Sequence, residues 1–356
     1  MQKKINQLKI LFKDILAFIK LKFYVHPKNE KALLVSLENP QLYHRFAYLL
    51  LKFYQLAGYN IYYPMDFSLF RNLRNKDHYL GLIMREKNFL AINKTNLPEN
   101  FVEIKDEMFS PDYFKNYFEN NNQEENAFHI PMSCHPFMYH HEIWNREINL
   151  NKKRYNSIFS YGNFDSEAYL GIKKTHFRVL TRLDLLHFFK TKTDFVNIKN
   201  KEEEVNSENA SLDRKYVFAI KEDYRIEMED IRELLSCFNF YLCCSGVVMP
   251  LCHNVIEAMS VGTIPLIEKG YSDVMYPNLE NGVNAIIFDD LNHLDQILSH
   301  EIFEIDASKI SEIRENVLSY YHNFLSPKSV VENLNKSIEN KNLIYLQAEH
   351  RSVKFF

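Results

Sequence analysis

Three polar side chains begin a short predicted helix that lies between two apolar strands. The segment GVVMPLCHNVIEAMSVGTIPLIEKG (246–270) contains His253, Asn254 and Glu257. Asn254 and Glu257 are three residues apart, so they share one face of a helix. A carboxylate there can accept hydrogen bonds from two vicinal hydroxyls, as a ribose or a hexose presents them. The N–H groups that a helix leaves free at its start suit a phosphate.

The same spacing has a purely structural interpretation. Asn254 could be the N-cap of the helix and Glu257 its third residue, forming a capping box in which the two side chains satisfy backbone N–H groups. Because polar caps are common and ligand sites are few, the spacing by itself favours the capping box.

The elements around these residues form a βαβ unit. Apolar residues predict a strand over 240–245, a helix that continues to Gly262 and a second strand over 263–267. Ligands of parallel sheets bind at the carboxyl ends of the strands, where helix N-termini also lie. We therefore expect the three polar residues at the ligand-binding edge of a sheet, next to the glycine that ends the first strand, Gly246.

Strand and helix alternate along the whole chain. The other predicted strands are 31–37, Tyr59–Tyr63, 78–84, 89–93 and 101–109 in the first half and 157–162, 194–198, 215–220 and 284–288 in the second. Helices are predicted between them, one ending at Gly58 and one beginning with a capping box at Thr181 and Asp184. This alternation is typical of an α/β fold whose parallel sheets are covered on both faces.

The length of 356 residues favours two domains. We predict two doubly wound, Rossmann-like domains facing a cleft, at 26–150 and 151–325, separated by a polar, irregular stretch. An amphipathic helix (1–25) precedes them, and a helical tail (326–356) is expected to pack back on the first domain. The segment KNKEEEVNSENASLDRK (199–215) is predicted to be a surface loop.

Composition excludes several classes of protein. The net charge of −3 provides no overall basic field for nucleic acid. The five cysteines are odd in number and include no CxxC, which favours a reduced, cytoplasmic protein over a disulfide framework or a zinc ribbon. No apolar run reaches the roughly 18 residues of a membrane span.

The N-terminal 25 residues combine an apolar arc with six lysines and a single acid. The arc consists of Ile5, Leu8, Leu11, Phe12, Ile15, Leu16, Phe18, Ile19 and Phe23, and Lys9, Lys13 and Lys20 lie beside it. This pattern predicts a helix lying on an anionic membrane surface, at the inner face of the plasma membrane. The alternative is a helix packed on the body of the protein.

The segment HNVIEAMSVGTIPLIEKG resembles the nucleotide-sugar signature of GT-B glycosyltransferases. The stretch 275–298, with its Asn281-Gly282 turn, resembles the family's next strand and helix, and 158–169 resembles the first strand and glycine turn of the donor domain. The resemblance covers about 155–325, whereas the first half matches only in its α/β rhythm. It implies that Glu257 holds the ribose of a nucleotide-sugar donor.

The resemblance also implies a partner set and a reaction. The second domain would bind the donor, the first a glycan or lipid-linked glycan acceptor, and no metal cofactor would be needed. This form of the signature is most similar to that of bacterial enzymes of lipopolysaccharide or capsule synthesis. Many retaining members carry a further acid eight residues before the ribose-binding glutamate, where this chain has Met249. A non-catalytic, GT-B-like glycan-binding or scaffold subunit at the membrane is therefore the alternative.

A histidine-rich segment, FHIPMSCHPFMYHHEIWN (128–145), offers further chemistry. An inverting transfer needs a base for the acceptor hydroxyl, and histidine titrates in the right range. We select His135 and His140 as candidate bases and Tyr139 as an acceptor contact. The alternative is a surface loop that packs its aromatic side chains. A metal site would draw on Cys134, His135, His140 and His141. The motif HExxH is incomplete because Asn145 occupies the second histidine position.

Cationic side chains complete the candidate set. A diphosphate leaving group needs cationic partners when no metal is present. Arg182 and Arg225 are the candidates in the donor domain, with Lys173, Lys174, Arg178 and Lys221 as alternatives. Gly162 and Gly246 are expected to let the backbone approach the donor, and His253 and Asn254 are expected to contact it beside Glu257. In the first domain, His44 and Arg45 begin a helix and are candidate acceptor contacts, although a solvated first turn is the plainer interpretation.

Overall fold

The computed structural model describes residues 2–110, 127–165, 167–199, 212–300, 302–348, 352–353 and 355. Most of the predicted surface loop at 199–215 lies outside these residues. The described chain divides into two compact units. The first unit contains 2–110, 127–130, 327–348 and 352. The second contains the described residues from 131 to 326 together with 353 and 355.

The first unit is built on a four-stranded parallel sheet in the order β3-β2-β1-β4. Its strands are β1 (Ala32–Ser36), β2 (Asn60–Tyr62), β3 (Leu90–Ala91) and β4 (Val102–Lys105). Its helices before residue 100 are α1 (Gln2–Lys22), α2 (Arg45–Leu56), α3 (Phe67–Asn75) and α4 (Leu80–Ile83). The helix predicted to end at Gly58 is α2, and Gly58 adopts a φ of +87° just after it, as a helix-terminating glycine does.

The predicted strand at 78–84 is wrong, because four of its residues form α4. The Asp77 carboxylate explains the difference, since one of its oxygens accepts the backbone N–H groups of Tyr79 and Leu80 at 2.8 Å. That pattern starts a helical turn. Local capping therefore overrides an apolar composition that suits either a strand or a helix.

A small second sheet in the first unit includes a strand from the C-terminal part of the chain. It contains β5 (Phe109–Ser110), β6 (Ala127–His129) and β13 (Leu343–Tyr345), all parallel, with β13 in the middle. The helix α12 (Pro327–Glu339) leads into β13. The tail predicted over 326–356 is therefore not helical throughout, because a central strand follows its helix.

The second unit contains a six-stranded sheet in the order β12-β11-β10-β7-β9-β8, in which every neighbouring pair is parallel. The strands are β7 (Tyr155–Gly162), β8 (Phe195–Asn197), β9 (Tyr216–Ile220), β10 (Phe238–Leu242), β11 (Ile264–Glu268) and β12 (Ile286–Phe288). All five residues are buried in each of β9, β10 and β11. Both faces of the sheet are therefore covered, as the continuous apolar runs predict.

Helices alternate with these strands. They are α5 (Pro136–His140), α6 (Arg182–Lys190), α7 (Ile231–Leu235), α8 (His253–Met259), α9 (Lys269–Ser272), α10 (Leu291–His300) and α11 (Ala307–Tyr320), which runs into a π-helix (Tyr321–Leu325). The capping box predicted for α6 is present, because Thr181 Oγ1 accepts from the Asp184 N–H and the Asp184 carboxylate accepts from the Thr181 N–H. The two Rossmann-like domains of the predicted α/β class are confirmed.

The division between the units differs from the predicted boundary at residue 150. Residues 131–150, including α5, belong to the second unit. Among the described residues, no helix has the length and apolarity that crossing a membrane requires.

Candidate functional site

The predicted signature lies at the carboxyl edge of the six-stranded sheet. β10 ends at Leu242, and a loop leads from there to the start of α8 at His253. The residues of this loop are buried except for Val247, which is exposed. The neighbouring strand β7 ends at Gly162. These strand ends, the loop between β10 and α8 and the first turns of α8 form what we call the carboxyl-edge site.

The capping box considered for α8 does not form. The N-cap is Cys252, whose side chain makes no capping hydrogen bond, so Asn254 and Glu257 are the second and fifth residues of the helix. The Asn254 side chain instead donates to the backbone oxygen of Tyr161, at the end of β7, at 2.8 Å. Asn254 therefore ties the start of α8 to the neighbouring strand.

Glu257 is fully buried and binds two groups from different parts of the chain. Its Oε1 accepts the backbone N–H of His135 at 2.9 Å and lies 2.9 Å from Nδ1 of His253. Its Oε2 has no hydrogen-bond partner among the described residues. A buried carboxylate oxygen without a donor is unusual, and Oε2 can accept a further hydrogen bond.

The electrostatic surroundings keep Glu257 ionised. Burial alone would raise the pKa of this carboxyl, but His253 and the hydrogen bond from the His135 backbone outweigh burial and hold the pKa below its ordinary value. An ionised carboxylate can only accept, so Nδ1 of His253 carries the proton that the two share. Glu257 thereby fixes the orientation of the His253 ring.

The two histidines lie against each other beside this carboxylate. The ring centroids of His135 and His253 are 5.0 Å apart, with one edge towards the other face. The His253 side chain is 26% exposed, whereas that of Glu257 is 1% exposed. A ligand arriving at this edge therefore meets the imidazoles first. We call Glu257, His253 and His135 the carboxylate–histidine cluster.

Arg182 does not occupy the exposed position that a diphosphate contact requires. It is 4% exposed, and its nitrogens donate to the backbone oxygens of Ser245 (2.8 Å) and Asn163 (3.2 Å) and to Sγ of Cys252 (3.1 Å). The guanidinium also lies 4.4 Å from the Tyr169 ring centroid. Arg182 therefore joins the loops of the carboxyl-edge site from inside, which corrects its predicted role.

The two glycines predicted to bind the donor serve the packing of these loops. A Cβ on Gly162 would collide with the Arg182 guanidinium. A Cβ on Gly246 would stand 2.6 Å from the Met249 backbone oxygen, and the Gly246 N–H donates to Pro250 at 3.0 Å. Met249 itself is 4% exposed, so its side chain lies in the core.

Arg225, the other cation predicted for the diphosphate, is exposed, as is its alternative Lys221. Arg225 lies shortly after β9 in the chain. Lys221, the first residue after β9, donates its backbone N–H to the Gly162 oxygen at 2.9 Å. Burial and the charge of Glu257 raise the pKa of Tyr161, and the charge of Arg225 opposes them. Arg225 is therefore close enough to act electrostatically on the strand end that holds Asn254.

The remaining histidine-segment predictions have different outcomes. Tyr139 is fully buried, with its ring 5.4 Å from that of Trp144, so its position contradicts the predicted acceptor contact. His140 is partly exposed at the end of α5, with its ring 6.4 Å from Phe137 and 5.0 Å from His141. In the described part of the chain no group of three or more His, Cys, Asp or Glu side chains is placed to hold a metal ion.

The predicted acceptor contacts of the first unit are at the start of α2. His44 is its N-cap, with a φ of 47°, and its Nδ1 lies 2.9 Å from Asp77. Arg45 is the first helical residue, and its guanidinium lies 5.1 Å from the Phe46 ring centroid.

Sequence reasoning missed the pairing that defines the cluster. The signal for His253 and Glu257 was present, because residues four apart on a helix meet. The His135 contact had no local signal, since 122 residues separate its backbone N–H from the carboxylate.

No protein-family model and no curated protein sequence matches the chain. Solved glycosyltransferase structures align with it at low similarity. Anabaena HepE (Alr3699) in complex with UDP and glucose aligns over 88% of this chain and 100% of its own, with 11% identity and a TM-score of 0.38. A glycosyltransferase from Rickettsia africae aligns over 88% and 99%, with 9% identity and a TM-score of 0.43.

The pneumococcal O-GlcNAc transferase GtfA, in complex with UDP and GlcNAc, aligns over 83% of this chain and 60% of its own, with 11% identity and a TM-score of 0.33.

Proposed function

We propose that the chain is a GT-B-type glycosyltransferase whose donor, a nucleotide-activated sugar, binds at the carboxyl-edge site. The observation that carries the proposal is the ionised, buried Glu257 carboxylate, which has one oxygen without a partner. A hydroxyl of the donor's ribose would donate to that oxygen and remove the cost of leaving it unpaired. The position of Glu257 within the glycosyltransferase-like signature supports the same role.

Ligand access to Glu257 requires a local adjustment. Because the carboxylate is fully buried and closed on His135 and His253, a hydroxyl would reach it after a shift of one of these two residues. His253 is the better candidate for that movement, since it contacts the carboxylate through a side chain that is 26% exposed, whereas His135 contacts it through its backbone. The donor would then replace, or share, the contact between the imidazole and the carboxylate.

The reaction we propose is displacement of the nucleotide by an acceptor hydroxyl. An inverting transfer needs a base, and we assign that role to one of the two histidines that Glu257 contacts, His135 or His253. A neighbouring carboxylate that orients an imidazole favours such chemistry. Arg225 and Lys221 replace Arg182 as the cations for the diphosphate, because both are exposed at this edge. No resident metal is part of the proposal.

The biological setting we propose is the synthesis of a cell-surface polysaccharide such as lipopolysaccharide or capsule. The acceptor would be a glycan or a lipid-linked glycan at the inner face of the plasma membrane, with His44 and Arg45 of the first unit among its contacts. Support for this setting comes from the sequence resemblance and from the lysine-rich helix α1.

A non-catalytic glycan-binding or scaffold subunit is the second candidate. Two observations favour it: the buried Met249 where the family often has an acid, and the closed contacts around Glu257. Such a subunit would bind ligand without turnover, so the two candidates differ in a measurable way.

The experiment that tests the proposal is a thermal-shift screen against nucleotide sugars with different bases and sugars. A donor present at 100 times its Kd stabilises the folded state by about 2.7 kcal/mol, a rise in Tm of roughly 5–10 °C. Glu257→Gln, which preserves the shape of the side chain, should abolish the rise. The exposed variant Glu312→Gln is the matched control and should retain it.

Three outcomes are informative. A shift that depends on Glu257, together with release of nucleotide in the presence of glycan acceptors, supports the transferase. A Glu257-dependent shift without turnover on any acceptor favours the non-catalytic subunit. A shift that survives in Glu257→Gln, or no shift with any nucleotide sugar, contradicts donor binding at this carboxylate. The Tm of each unliganded variant shows separately whether it folds.

A further inference from the structure

The N-terminal helix α1 has two sides that differ in what they contact. The inner side is fixed to the first unit through Asp14, which is 1% exposed although it belongs to a helix that is mostly exposed. Its carboxylate accepts from Arg71 (3.2 Å) and Asn75 (3.0 Å) and pairs with Arg74 (3.1 Å). All three partners are on α3 or at its end.

An aromatic contact reinforces this attachment. The Phe18 ring lies 5.4 Å from that of Phe67 and 5.3 Å from that of Phe70. Asp14 and Phe18 are four residues apart, so they occupy the same side of the helix. Together they fix the rotation of α1 about its axis and determine which residues face away from the first unit.

The opposite side of α1 is apolar and exposed over five turns. Its exposed fractions range from 38% for Ile15 to 79% for Phe23. The residues of this face are Ile5, Leu8, Phe12, Ile15, Leu16, Ile19 and Phe23. Large apolar residues scattered singly are normal on a protein surface, but a contiguous set on one helix indicates an interaction site. We call this set the apolar face of α1.

Positive charge borders that face. Lys9, Lys13 and Lys20 are exposed and follow the apolar residues along one margin of the helix. Residues 1–25 contain six lysines and one acid, and that acid, Asp14, is already paired with two arginines on the inner side. The outward side of α1 therefore offers cations without nearby acids of its own.

We propose that α1 docks on an anionic lipid bilayer, with its apolar face in the boundary between headgroups and acyl chains and its lysines on the lipid phosphates. An exposed apolar stripe with lysines on its margin is the arrangement that favours the plane of a membrane surface. The occupant that fits both the apolar residues and the lysines is an anionic lipid surface, which presents negative phosphates beside an apolar acyl region.

The docking face is preformed, which separates this helix from segments that fold on contact with lipid. Because Asp14 and Phe18 already hold α1 on α3, binding requires no gain of helix. The orientation of the bound protein follows from the same two residues, since they determine which side of α1 meets the lipid. This inference is independent of the proposed transferase activity.

The test is co-sedimentation of the full chain with vesicles of neutral phosphatidylcholine and with vesicles in which about one-third of the lipid is phosphatidylglycerol. We expect binding to the anionic vesicles, weakening as salt is raised, because each lysine near the surface contributes roughly a fivefold gain in affinity. Lys9→Gln/Lys13→Gln/Lys20→Gln should therefore lower affinity by about 100-fold. The exposed set Lys28→Gln/Lys87→Gln/Lys94→Gln is the charge-matched control and should change it much less.

The apolar contribution is tested in the same way. Phe12→Ser/Leu16→Ser/Phe23→Ser should abolish binding, whereas Leu42→Ser/Leu56→Ser/Phe101→Ser, three exposed apolar residues outside α1, should not. Circular dichroism should show no added helix on vesicles. Equal binding by both lysine sets, absence of binding to anionic vesicles, or a gain of helix on lipid would overturn the proposal. Self-association that Phe12→Ser/Leu16→Ser/Phe23→Ser abolishes, without lipid binding, would assign the face to a second copy of the chain.

Discussion

The backbone N–H of His135 donates to the Glu257 carboxylate at 2.9 Å across 122 residues of sequence. This bond joins the segment before α5 to the second turn of α8. It brings a histidine from outside the six-stranded sheet to the edge where the signature residues lie. The chemistry we propose for the second unit depends on this long-range contact as much as on the signature itself.

Replacing Glu257 by glutamine should weaken the second unit. The amide oxygen of glutamine can still accept from both His135 and His253, but both hydrogen bonds lose the charge of the carboxylate. A hydrogen bond to a charged group contributes about 1.5–3 kcal/mol and a neutral one about 0.5–1.5 kcal/mol. We therefore expect a loss of roughly 1–3 kcal/mol in the free energy of unfolding at pH 7, measured by urea denaturation. Because the folded pKa of Glu257 is lowered, its contribution is present above the ordinary value of 4.5 and is lost as pH falls through the folded pKa. On acidification below pH 4.5, the free energy of unfolding should therefore fall less in the variant than in the parent. An equal fall in the two proteins would contradict this account.

For Glu268, at the end of β11, we expect a pH dependence of stability opposite in sign to that of Glu257. Burial raises the pKa of this carboxyl to about 7, although it accepts the Leu180 N–H at 2.8 Å. A raised folded pKa means that its favourable contribution is full below pH 4.5 and is lost as pH rises towards 7. Glu268→Gln should therefore be more stable than the parent above pH 7, by about 1–3 kcal/mol, with little difference at pH 4. Equal free energies of unfolding for the two proteins between pH 4 and 8 would show that ionisation of Glu268 does not destabilise the folded state.

Gly162→Ala should destabilise the second unit because its new methyl group meets the Arg182 guanidinium. Forcing extra volume into a packed site costs about 1–3 kcal/mol. The same substitution should cost less when Arg182→Met has already removed the guanidinium, and the remaining cost is the backbone strain of an alanine at the Gly162 φ of +156°. A double-mutant cycle measured by thermal unfolding gives the coupling between the two positions, and additive effects would refute this explanation of the glycine.

Asp14→Asn should loosen α1 without affecting the second unit. The neutral side chain keeps the shape of aspartate but loses its pairing with Arg71 and Arg74. We expect faster amide hydrogen exchange over Gln2–Lys22 and unchanged exchange in β10. Lys9→Gln, on the exposed side of the same helix, is the control and should leave exchange as it is. Equal protection of α1 in Asp14→Asn and the parent would show that Asp14 does not hold the helix.

Sequence patterns predict most of the central strands because their signals are local. All five residues of β10 are buried and only Asn239 is polar, so the apolar run predicts a strand, although the predicted bounds of 240–245 extend beyond its end at Leu242. β13 has three residues and pairs with strands more than 200 positions earlier, so nothing near it indicates a sheet. The same limit explains the wrong prediction for Arg182. An arginine at this place in the sequence predicts an exposed contact with an anion, whereas the partners of Arg182 are backbone oxygens and a thiol from loops that are distant in sequence.

The most direct measurement of the central claim is a crystal structure of the protein with the nucleotide that the thermal-shift screen selects. We predict a ribose hydroxyl within hydrogen-bond distance of the Glu257 carboxylate, with Arg225 or Lys221 near the phosphates. A nucleotide bound elsewhere, with the carboxylate still closed on His135 and His253 and no hydroxyl beside it, would contradict the account.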